Sequence, residues 1–241
     1  MIMPSIGDIY KRFRRRLEGK ERATYRLSSG ETYFSGKRVG GMWDEIGELQ
    51  FNFLVKNGLK PRHKLLDIGC GSLRGGVHFV RYLESGNYYG MDRDEMLLNA
   101  AREVELPRYG LSGKAASLVR RDDFDFSVFG AEFDYALAQS VFTHLPWNSI
   151  MRCLVNVERT LQKDGRFYAT FFEDKNGGRR AAPMTHAPGG VETYPDKDPF
   201  HYEFGVFEEL SARVSLEVEY IGEWGHPRGQ MMMVFTRPAR V

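Results

Sequence analysis

The segment Leu65-Leu66-Asp67-Ile68-Gly69-Cys70-Gly71-Ser72-Leu73-Arg74-Gly75-Gly76 constrains this chain more than any other. An apolar run reaches an acidic residue, passes a glycine-rich turn and leaves into an apolar helix. That is how a buried parallel strand delivers backbone to a bound nucleoside. Glycine takes positive φ and lets the main chain approach a ligand with no Cβ in the way.

The rest of the chain supplies a frame for this turn. A helix is expected over 43–55, with Ile46, Leu49, Gln50 and Phe53 on one face. Gly58 and Pro61 end it, and a first strand follows over 63–68. Further strands are expected over 87–92, 115–119, 133–139 and 166–172, separated by helical patterns such as Ile150, Leu154, Val157 and Leu161. After a helix over 207–214, two strands at 216–221 and 230–235 form an antiparallel hairpin across a short link. Strands alternating with helices imply an α/β fold, a doubly wound and mostly parallel sheet with helices on both faces. Residues 173–199 are polar and rich in Gly and Pro, and read as a mobile, lid-like insertion.

A length of 241 residues suits one such domain with additions. The chain has no apolar run of about 18 residues to span a membrane, and its start lacks the apolar core of a signal peptide. Cys70 and Cys153 are too few for a disulfide framework and lack zinc-ligand spacing, so no metal site is expected and a reducing, cytoplasmic setting is the simplest reading. Net charge of +2 selects no partner. The basic cluster Lys11, Arg12, Arg14, Arg15, Arg16, Lys20, Arg22 and Arg26 is local. It reads either as an arm for an anionic partner or as a solvated terminal helix docked by Phe13, Leu17 and Tyr25. The division expected is a basic arm over 1–42 and a domain over 43–241.

Asp92 ends the second strand about 20 residues past the glycine turn, where a carboxylate accepts the two hydroxyls of a ribose. The turn itself is Asp-x-Gly-x-Gly, not Gly-x-Gly-x-x-Gly. Asp67 would repel a diphosphate and welcome an ammonium, which speaks against a nicotinamide dinucleotide. S-adenosylmethionine (SAM) carries an ammonium, a carboxylate and no phosphate.

On these residues, with Arg121 to Phe124, Phe133 to Ser140 and Leu161 to Ala169, the sequence resembles the class I SAM-dependent methyltransferases. The resemblance implies a seven-stranded sheet whose last-entered strand is antiparallel. It assigns the turn with Asp67, Gly69, Cys70 and Gly71 to the methionine part, although the Cys70 side chain is expected to pack against the strand. It assigns Asp92 with Met91 to the ribose, Asp122 or Asp123 with Phe124 to adenine, and Gln139 and Ser140 to the sulfonium side. Arg74 is a departure, reaching either the methionine carboxylate or a surface acid.

Methyl transfer needs an aligned nucleophile, and a hydroxyl also needs a base. His144, His201 and His226 are the candidate bases, with His186 and Glu173 near the same edge. Trp224 and Arg228 are candidates to wall and hold the acceptor, or are merely hairpin residues. By family analogy the acceptor is a small molecule bearing a hydroxyl. Alternatives are an RNA or protein acceptor held by the basic arm, and a SAM-binding protein without catalysis.

Overall fold

A computed structural model describes residues 24–34, 41–175, 177 and 182–237. The basic residues Lys11 to Arg22 lie outside these, as do Gly178, Arg179 and Arg180 of the expected lid. The described chain opens with a hairpin, β1 (Thr24–Arg26) and β2 (Thr32–Phe34), then α1 (Trp43–Lys56), β3 (Leu65–Ile68), α2 (Gly76–Tyr82) and β4 (Tyr88–Asp92). Next come α3 (Glu95–Ala100), β5 (Ser117–Arg120), β6 (Phe133–Ala138), α4 (Trp147–Thr160) and β7 (Leu161–Glu173). Two short strands, β8 (Met184–His186) and β9 (Val191–Thr193), precede β10 (His201–Tyr202), α5 (Phe204–Ser211), β11 (Glu217–Glu223) and β12 (Met231–Thr236). Helix α3 runs on through a π turn, Ala101–Glu105, into a last turn, Leu106–Arg108, where Pro107 has no N–H to continue the α ladder.

The main sheet has the order β11-β12-β7-β6-β3-β4-β5. Strands β3, β4, β5, β6 and β7 are mutually parallel, and β12 is antiparallel to both β7 and β11. This is the expected mostly parallel sheet with one reversed strand. The unexpected addition is β10, which pairs in parallel with the end of β7. Strand β7 also starts earlier than expected. It begins at Leu161, and the turn at Asp164, with φ 63, lies inside it as an irregularity against β6.

Side chains leave each strand alternately, so a sheet covered on both faces needs apolar residues at nearly every position. Leu65, Met232 and Val234 enter one core with Phe51, Leu54 and Phe79. Leu66, Met231, Met233 and Phe235 enter the other with Ile150, Leu154 and Phe207. On α1 the buried stripe is Trp43, Ile46, Gln50, Phe51 and Leu54. The expected Leu49 and Phe53 sit beside it, half-buried. Phe53 meets Tyr168 and Trp224 edge-on, each at 5.4 Å.

Two observations bear on the expected arm and lid. Part of the supposed arm is integral to the domain: Leu27 and Tyr33 are buried against Met96, Ala100 and Val104 of the α3 segment. Apolar side chains there outweigh the basic composition that suggested a separate arm. The described part of the 173–199 insertion is likewise folded, as the β8–β9 hairpin. Its turn sits so close to residue 229 that a Cβ at Gly229 would lie 2.1 Å from the Ala187 carbonyl oxygen, at φ +70. Gly229→Ala should therefore cost on the order of 1–3 kcal/mol and release hydrogen-exchange protection over 184–193. Wild-type exchange in that hairpin would contradict the docking.

Candidate active site

The turn after β3 is held by the strand beside it. The N–H groups of Gly69 and Cys70 both donate to the Met91 carbonyl, at 2.8 and 3.1 Å. The Gly71 N–H donates to Asp92 Oδ2 at 2.8 Å, and the Asp94 N–H to Oδ1 at 2.9 Å. Gly69 has φ +70, and a Cβ there would lie 2.6 Å from Val141 Cγ2 in the loop after β6. The turn is thus wedged between β4 and that loop at the C-terminal edge of the sheet, where ligands bind in open α/β folds.

Asp67 is buried and accepts a hydrogen bond from the Tyr88 hydroxyl at 2.6 Å. Burial pushes its carboxyl up to about 7, against the Tyr88 bond, which pulls down; Asp92 adds to the rise. Arg74, also buried, donates from Nη2 to Gln139 Oε1 at 2.8 Å and from Nη1 to the Gly41 carbonyl at 3.1 Å. Burial lowers its pKa to about 10, so it stays a cation at neutral pH. Asp67, Gly69, Cys70, Gly71, Arg74 and Gln139, with Gln50 and Gly75, line one small cavity of about 40 Å³. Burial drives the Cys70 thiol pKa up, which marks it as packing rather than as a nucleophile.

Asp122 faces a second, open cleft of about 610 Å³, shared with Glu31, Arg93, Asp94, Glu95, Met96 and Arg120. Asp123 lies outside both linings. It is bound by two nitrogens of Arg121, at 3.0 and 2.6 Å, and that bonding holds its pKa down at about 2. Phe124 is half-buried at φ 60, packed against Phe126.

On the other side of the turn a polar cluster closes the edge. Gln139 Nε2 lies 2.7 Å from Ser140 Oγ and 3.1 Å from His226 Nε2. Thr170 accepts from the Ser140 N–H and donates to Gln230 Oε1, both at 2.8 Å. His226 is buried, and its Nδ1 accepts from the Arg228 N–H at 3.2 Å. With Nδ1 already accepting, a second ring proton there would break that bond. Burial, then Arg74 and Arg228, push its pKa down to about 4. Trp224 stacks on the ring at 5.5 Å and donates its indole N–H to the Gln230 carbonyl.

His201 and His186 are buried, one on each side of the Thr193 hydroxyl at 2.8 Å, and burial lowers both pKa values. Glu173 accepts from the Tyr220 hydroxyl at 2.7 Å. His144 differs: it is half exposed, in the 3₁₀ turn Phe142–His144 after β6, with Nδ1 2.5 Å from Asp198 Oδ1. The segment carrying Asp198 is tied there by the Phe200 N–H to the Thr143 carbonyl (2.7 Å) and the Tyr202 hydroxyl to the Leu145 carbonyl (2.6 Å).

Residues 66–167 match a family model described as a methyltransferase domain. The matched stretch, somewhat under half of the chain, runs from β3 into β7 and is of methyltransferase-domain type. The fold is shared with solved structures at low identity. The TehB-like SAM-dependent methyltransferase from Corynebacterium glutamicum has 23% identity and a TM-score of 0.55, over 83% of this chain and 91% of that one. The magnesium protoporphyrin IX methyltransferase of Synechocystis, solved with bound SAH, has 13% identity and a TM-score of 0.57, over 95% and 94%. The pyocyanin biosynthetic protein PhzM has 20% identity and a TM-score of 0.59 over 80% of this chain, which spans only 56% of that longer one.

Sequence reasoning missed Tyr88, Thr170, Gln230 and Asp198. Only Gln230 carried a signal, as a lone amide leading the apolar strand Met231–Thr236. Burial of Asp67 should make the protein's stability pH-dependent. An unfolded aspartate titrates near 3.9, so between about pH 4 and 7 the folded chain keeps a proton that the unfolded chain loses. Stability of the ligand-free protein should fall as pH rises through that window. Asp67→Asn should flatten the fall, read from denaturant unfolding at a series of pH values; an unchanged slope would contradict it.

Proposed function

We propose that the protein methylates a hydroxyl on a small-molecule acceptor, with His144 as the base. The observation that carries this is the His144–Asp198 pair. It is the one of the three candidate histidines that is exposed and carboxylate-paired, while His201 and His226 are buried with lowered pKa values. A carboxylate on Nδ1 orients the ring and leaves Nε2 as the proton acceptor. Support for a small acceptor comes from the segment 182–202, which is fastened at the turn by Gly229 and at Thr143 and Leu145 beside the edge, where it would narrow the approach for a polymer.

The cofactor residues fit SAM. The small cavity carries one anion-forming group and one cation, Asp67 and Arg74, which match the ammonium and carboxylate of a methionine head. The methionine end would rest there, against the turn at Gly69, Cys70 and Gly71. Asp92 with Met91 would hold the ribose. Each Asp92 oxygen already accepts one N–H and keeps lone-pair capacity for a hydroxyl. Asp122, in the open cleft, and Asp123 with Phe124 would frame the adenine. Gln139 and Ser140 would border the sulfonium, whose methyl is already activated for displacement. The chain's own work is then alignment, exclusion of water and removal of one proton. His201, His226, Trp224 and Arg228 would shape the acceptor wall rather than take the proton.

Two experiments test this reading. Asp92→Ala should weaken SAM binding by about 1.5–3 kcal/mol, as for hydrogen bonds to a charged group; calorimetry giving wild-type affinity would remove Asp92 from the site. His144→Ala should leave SAM affinity intact and slow SAH formation by roughly 10²–10⁴-fold, with an acceptor found by screening hydroxyl-bearing small molecules against RNA and protein. Full activity in that variant, or turnover with a polymer alone, would overturn the assignment.

A further inference from the structure

The β1–β2 hairpin is fastened to the cofactor turn from behind. Tyr33 is fully buried, and its hydroxyl lies 2.9 Å from Ser72 Oγ and 2.8 Å from Glu105 Oε1. A phenol has one proton to give. It goes to the carboxylate, and Ser72 donates back to the phenolic oxygen. Ser72 is itself fully buried and follows Gly71, whose N–H is bonded to Asp92 Oδ2. The hairpin has a second fastening, where Glu103 accepts from both the N–H and the hydroxyl of Ser28. Glu31, in the same hairpin, also lines the open cleft together with Arg93, Asp94 and Asp122.

We propose that residues 24–34 are a working part of the cofactor site, and that Tyr33 is a positioning residue for SAM. Held between Ser72 and Glu105, its hydroxyl fixes the glycine turn so that the Gly71 N–H holds Asp92 in its binding pose. Ser72 and Tyr33 are 39 residues apart, so the contact also couples cofactor binding to the docking of the chain's N-terminal portion. The coupling is reciprocal: a docked hairpin favours SAM, and SAM favours the docked hairpin.

This rests on the glycine turn being the cofactor site, and the experiment separates the two. SAM should slow hydrogen exchange over 24–34 in the wild-type protein. Tyr33→Phe keeps the ring and removes the oxygen. It should weaken SAM binding about threefold to tenfold, the worth of one ordinary hydrogen bond, and raise KM for SAM while kcat at saturating SAM holds. Ser72→Ala should do the same, and the double variant should lose no more than Tyr33→Phe alone. If Tyr33→Phe does not fold, Ser72→Ala and the exchange experiment decide. Unchanged SAM affinity in the folded variants, additive losses, or exchange over 24–34 indifferent to SAM would each overturn the proposal. If Asp92→Ala weakens SAM while these variants do not, only the hairpin's role fails. If all bind SAM as wild type does, the site itself is misplaced.

Discussion

The Met91 carbonyl is the point on which the site depends. Two successive N–H groups, from Gly69 and Cys70, converge on it. The chain leaving β3 is thereby folded back onto the end of β4, and the carboxylates of Asp67 and Asp92 come to one place from positions 25 residues apart in number. Parallel strands cannot be joined by a tight turn, so their C-terminal ends meet only because a helix carries the chain back between them. The bonds to Met91 and Asp92 convert that general property of the fold into a specific cradle of backbone N–H groups and acids.

The two halves of the edge are stabilised differently. Around β3 and β4 the groups are charged and buried, and burial sets their protonation: Asp67 is pushed up to about 7 and Arg74 down to about 10. Around β6, β7 and β12 the groups are neutral amides and hydroxyls, Gln139, Ser140, Thr170 and Gln230, bonded to one another. His226 belongs to this second group. Burial and the nearby Arg74 and Arg228 favour its neutral form, in which it stays a hydrogen-bond partner of Gln139 and the Arg228 N–H.

The sheet and the glycine turn were legible in the sequence because both are local patterns. Alternating apolar runs place Leu65 and Leu66 on opposite faces, and the spacing from the turn to Asp92 follows from one βαβ unit. What was illegible depends on long-range contacts. Nothing near Tyr33 in sequence announces Ser72 or Glu105, and a basic flanking composition hid a buried hairpin. The polar segment after β7 looked like a free loop because its packing surface is the turn at Gly229, some 40 residues later. The three histidines were equivalent in sequence. Only burial and neighbours separate His144, beside Asp198, from His201 and His226.

The reversal of β12 has an evolutionary consequence. In every parallel strand the ligand edge is reached by residues that follow the strand; in β12 it is reached by residues that precede it, such as Gln230. The proposed acceptor side would therefore be written in three separate stretches: after β6, after β7 and before β12. The bonds that shape the cofactor turn come from a fourth stretch, between β3 and the end of β4. A lineage could rewrite the first three, by substitution or by a different hairpin over 182–193, and leave the Met91 and Asp92 bonds that shape the cofactor turn untouched. Such a layout would let one cofactor be paired with many acceptors, since the two parts occupy different stretches of the chain along one sheet edge.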